Sequence, residues 1–89
     1  MKITILHATM SYTKEDGYVG QVQFRAENHR DDYEITLQSK KGKEWSYGLH
    51  FLNASGSEEE IFKMEELIEE DDELFDSLIE AAKISLDEK

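Results

Sequence analysis

The 89-residue chain contains no cysteine and no proline, only five glycines, and no apolar run of the length a membrane span requires. The lack of cysteine excludes a disulfide framework, a thiolate nucleophile and a Cys-type zinc site, and leaves the redox compartment open. The glycines are scattered. None of them forms a Gly-rich phosphate loop or a Gly-x-Ser-x-Gly nucleophile turn. The opening MKITILHATMSY is interrupted by polar residues every second or third position. It lacks the unbroken apolar segment of a secretory leader, so a cytoplasmic protein is expected.

Positive charge is also scarce. Lys and Arg number 10 against 21 Asp and Glu, for a net charge of −11. Residues 1–52 hold seven of each sign, whereas residues 53–89 hold three basic and fourteen acidic side chains. The whole imbalance lies in the C-terminal part. Nucleic acid and anionic membrane are therefore poor partners, since both select cationic patches. A length of 89 residues allows one domain, and the apolar fraction of 38% is enough to fold it without a metal or crosslink.

Within residues 1–53 the apolar residues alternate with period two, as in strands with one buried face. Tyr18, Val22, Phe24 and Ala26 oppose Gln21, Gln23, Arg25 and Glu27. Tyr33, Ile35 and Leu37 oppose Asp32, Glu34, Thr36 and Gln38. Trp45, Tyr47, Leu49 and Phe51 oppose Glu44, Ser46, Gly48 and His50. The first strand is less regular: Leu6, Ala8, Met10 and Tyr12 form its better face, while Ile3 and Ile5 fall on the other. It is either covered on both sides near its start or bulged. A three-residue hairpin loop, Lys40-Lys41-Gly42, pairs Ser39 with Lys43 and predicts Leu37 opposite Trp45, Ile35 opposite Tyr47, Tyr33 opposite Leu49 and Asp32 opposite His50.

From Ala54 the period becomes that of a helix. Ser57 followed by Glu58, Glu59 and Glu60 has the form of a capping box, with carboxylates placed at the positive end of the helix dipole. Ile61, Met64, Leu67, Ile68, Leu74, Phe75, Leu78, Ile79, Ala82 and Leu86 form one apolar stripe, interrupted at Asp71 and Asp72. Aspartate is poor inside a helix and good at its N-cap. The pattern predicts two helices, roughly 57–69 and 72–86, with a bend at Asp71 or Asp72, in preference to one long helix. The expected architecture is a single α+β domain over 1–89, with a four-stranded antiparallel meander in 1–53. An acidic helical part, 54–89, packs both its helices on one face of the sheet.

No motif marks a catalytic, cofactor-binding or metal-binding residue. The consecutive carboxylates Glu69 to Glu73 do not have the alternating spacing of an EF-hand loop. His7, His29 and His50 are not at helical ligand spacing. The function expected is a non-enzymatic protein-binding or regulatory module. It engages a basic protein through Glu65, Glu66, Glu69, Glu70, Asp72 and Glu73. The alternative is a small-ligand or enzymatic site on the open, polar sheet face around His50, Asp32 and Arg25. A homodimer through Ile3 and Ile5 is a further expectation, because isoleucines exposed at an edge strand favour association.

Overall fold

In a computed structural model, which describes residues 2–53 and 56–87, the chain forms four antiparallel strands followed by two helices. The elements are β1 (Ile3–Thr13), β2 (Gly17–Ala26), β3 (Tyr33–Ser39), β4 (Ser46–Phe51), α1 (Glu58–Glu70) and α2 (Asp72–Asp87). The sheet order β1-β2-β3-β4 follows the chain. The expected change of rhythm at Ala54 lies outside the described residues.

Alternation decides which face is covered. Val22, Phe24, Ala26, Tyr33, Ile35, Leu37 and Leu49 are buried, together with Met10 from β1. The helices close this face with Met64, Ile68, Leu78, Ile79 and Ala82. Each large side chain in this set contributes about 1.5–3 kcal/mol of gross burial energy. Helix α2 lies over β1 and β2, whereas α1 lies against β4. At Gly20 a Cβ atom would stand 3.0 Å from the Met10 methyl and 3.4 Å from Ala82 Cβ, so the missing side chain is what lets α2 approach β2 so closely.

The irregular first strand carries a β-bulge. Ile5 pairs with Phe24 and His7 with Gln23, leaving Leu6 as the extra residue. The bulge shifts the alternation by one, so Ile3 and Ile5 share the face of Ala26 and Phe24, and beyond it Ala8, Met10 and Tyr12 share that same face. This corrects the expectation that Ile3 and Ile5 lie on the open face: Ile3 packs against the core, and Ile5 is 42% exposed at the sheet margin.

The β3–β4 register also departs from expectation. Leu37 pairs with Tyr47, Ile35 with Leu49, Tyr33 with Phe51 and Glu34 with His50. Gly42 does adopt a left-handed conformation, φ 79°, and its N–H donates to Ser39 Oγ at 2.8 Å. The connection, however, spans residues 40–45, not three residues. Trp45 leaves the strand to pack beside Tyr18, with ring centroids 6.1 Å apart, and under Lys83. The slip is two residues. An even slip keeps every side chain on its own face, so the core is unchanged and only cross-strand neighbours differ.

Candidate functional site

Helix α1 starts at Ser57, whose Oγ accepts the Glu60 N–H at 3.3 Å. The reciprocal arm of a capping box is redirected, because Glu60 Oε1 accepts the backbone N–H of Arg30 at 3.1 Å and ties the β2–β3 loop to the helix. Met64 and Ile68 bury one side of α1. On the opposite side Phe62 is 60% exposed. Phe62, Glu65, Glu66, Glu69 and Glu70 line a shallow concavity of about 440 Å³. Four of the six acidic residues singled out in the sequence thus share one concavity with an exposed aromatic ring, which stands at its N-terminal end. The other two, Asp72 and Glu73, are exposed in the first turn of α2, past the helix junction.

Phe62 was not among the sequence-predicted site residues. The signal was present, since it lies off the stripe formed by Ile61, Met64, Leu67 and Ile68, and a large aromatic outside the buried arc has no core to enter. Glu69 is committed in part to the fold. The Tyr47 hydroxyl donates to Glu69 Oε1 at 3.0 Å. Burial, then this bond, then the charges of Glu69 and Glu65 push the Tyr47 phenol up to about 12.

On the open sheet face, Arg25 forms a two-pronged ion pair with Asp32, Nε to Oδ1 at 2.8 Å and Nη2 to Oδ2 at 3.1 Å. The hydrogen bond from the guanidinium holds the Asp32 carboxyl below its ordinary value, and the same bond raises Arg25. Asp32 therefore faces Arg25, not His50 as the expected register required. His50 is exposed and stands opposite Glu34, whose Oε2 accepts from Gln23 Nε2 at 3.2 Å. A second shallow concavity, about 410 Å³, runs beside His50 and is lined also by Val19, Thr36, Gln38, Ser46 and Gly48. Arg25 and Asp32 are not part of its lining, so the three sheet-face residues named from the sequence do not form one site.

A part-buried polar contact is not marked by any sequence pattern. Tyr33 is fully buried, and its hydroxyl lies 2.7 Å from His29 Nδ1. Desolvation, with the charges of Glu60 and Asp31 behind it, raises this phenol to about 12. Among the described residues no group of three or more His, Asp or Glu is placed to hold a metal ion, and no helix is long and apolar enough to cross a membrane. No protein-family model, no curated protein and no solved structure matches the chain.

Proposed function

We propose that the protein is a non-enzymatic binding or regulatory module acting in the cytoplasm, and that the outer face of α1 receives a basic protein segment. The observation that carries this reading is Phe62, 60% exposed at the N-terminal end of a row formed by Glu65, Glu66, Glu69 and Glu70 on the same concavity. An apolar anchor beside a row of carboxylates suits a segment that offers one apolar side chain next to Lys or Arg. The ring supplies contact area, and the carboxylates supply orientation and a fast, salt-dependent encounter. The concentration of negative charge in residues 53–89 supports the same polarity of partner.

The test is titration of the labelled protein with peptides carrying one aromatic or aliphatic residue between basic residues. Amide shifts confined to residues 62–70, weakened by salt and abolished by Phe62→Ser with Glu66→Lys and Glu70→Lys, are expected. Binding that survives those substitutions removes the reading. Glu69 is left unchanged in the test because Tyr47 depends on it.

A second reading, a small ligand on the open sheet face, is favoured by the concavity beside His50. Its mark is a set of ligand-induced shifts at Thr36, Gln38, Gly48 and His50 in a metabolite screen, with α1 unaffected.

A further inference from the structure

Strand β1 is one margin of the sheet, so its outer backbone groups have no strand beside them among the described residues. Natural proteins protect long edges with charges. Here Ile3–Thr13 carries no Lys, Arg, Asp or Glu, in a chain of which 35% is charged. The opposite margin, β4, is only six residues long against eleven for β1.

The ladder shows which groups of β1 are free. Leu52 N–H donates to Asp32 O, which marks Asp32 as a residue bonded toward β4. Alternation along β3 then turns Tyr33, Ile35 and Leu37 toward β2, where they meet Phe24, Val22 and Gly20. The remaining residues of β2, Gln23, Gln21 and Val19, bond to His7, Thr9 and Ser11 of β1. The N–H and C=O groups of Ala8, Met10 and Tyr12 consequently point outward.

The flank of α2 above this edge is also neutral among the described residues. Lys83 reaches Trp45 on the β3–β4 side of α2. Helical geometry at about 100° per residue puts Leu74, Ala81 and Ser85 on the opposite flank, above β1, with Ser77 and Ile84 further outward. Among the described residues, the exposed large apolar side chains include Ile5, Leu6 and Tyr12 of β1 and Ile84 of α2.

We propose that β1 pairs antiparallel with β1 of a second copy about a two-fold axis at Met10, joining two four-stranded sheets edge to edge. A chain of net charge −11 repels its own copy through residues 53–89, where the whole imbalance lies. The neutral edge is where two copies meet without facing like charges. The register is self-complementary. Met10 faces Met10, Ala8 faces Tyr12 so that a small side chain meets a large one, Thr9 faces Ser11 and His7 faces Thr13. The outward groups of Ala8, Met10 and Tyr12 all find partners, and the bulge at Leu6 ends the pairing on the N-terminal side.

Sedimentation equilibrium of the full chain tests this. Thr9 and Ser11 are exposed on the open face, and the proposed axis brings Thr9 of one copy beside Ser11 of the other. The wild type is expected at twice the chain mass. T9K/S11K and T9E/S11E are each expected at the single-chain mass, because like charges then meet across the axis. An equimolar mixture of the two variants is expected to recover the doubled mass. A wild type that stays monomeric up to its solubility limit overturns the proposal, whatever else covers the edge. So do variants that dimerise as the wild type does, or a mixture that stays monomeric. Hydrogen exchange of the wild type gives a readout independent of substitution. The amides of Ala8, Met10 and Tyr12 should gain protection as concentration rises, and fast exchange at every concentration overturns the pairing.

Discussion

The Asp71 carboxylate accepts the backbone N–H of Leu74 at 3.2 Å, while the N–H of Asp71 itself donates to Leu67 O at 2.8 Å. One residue closes α1 and opens α2. Its extended backbone, φ −108° and ψ 93°, supplies the bend. Replacement of Asp71 by Ala removes the cap of α2 and is expected to lower stability by about 1 kcal/mol, within the usual 0.5–2 range for such caps. Urea denaturation of the two proteins measures it. Equal midpoints would show that the junction is held by packing alone.

Gly20 to Val places a branched side chain where Met10 Cε, Thr9 O and Ala82 Cβ already stand within 3.0 to 3.4 Å of a bare Cβ. Helix α2 must move away from β2, and a loss of about 1–3 kcal/mol is expected from overpacking. Calorimetry should show a lower Tm with the far-ultraviolet spectrum retained. An unchanged Tm would mean that α2 does not sit against Gly20.

Alkaline stability follows from Tyr33 and Tyr47. Both phenols are raised from 10.0 to about 12, so the folded protein keeps protons that the unfolded chain releases. Their contribution is intact below pH 10 and is lost as pH climbs from 10 toward about 12. Spectrophotometric titration should show two tyrosines ionising late, one disappearing in Tyr33→Phe and one in Tyr47→Phe. Ionisation of all four tyrosines together would refute both environments.

Salt should stabilise the fold. With a net charge of −11 concentrated in the helices, raising ionic strength from low to physiological shortens the screening length to about 8 Å and weakens the self-repulsion. Tm is expected to rise over that range, and a falling Tm would show that specific ion pairs outweigh the repulsion.

The fold was legible in the residues because period-two and period-3.6 patterns report directly on which side chains leave water. The faces of β2, β3 and β4 follow from that alone, whereas the break at Asp71 or Asp72 rested on the preference of aspartate for an N-cap over a helix interior. The β3–β4 register did not, because two alignments that differ by two residues bury the same faces. What separates them is the path of Trp45 toward Tyr18 and Lys83, which no local pattern encodes. The bulge at Leu6 was visible only as a flaw in alternation. At the candidate site the carboxylates were legible as a charge run, whereas Phe62 stands out only once the buried side of α1 is known. The Arg25–Asp32 pair joins β2 to the residue before β3, so it follows from the β2–β3 register and not from the β3–β4 hairpin that set Asp32 opposite His50.

The extra residue at Leu6 also makes β1 editable at a single point. Excising it brings Ile5 directly before His7, and every partner assigned on β2, from Ile3 with Ala26 to Thr13 with Gly17, is retained in an uninterrupted ladder. A deletion at Ala8 closes the ladder as well, but it turns His7 onto the covered face in place of the alanine. Length variation within β1 is thus best absorbed at one joint, the place where the strand's reading frame changes.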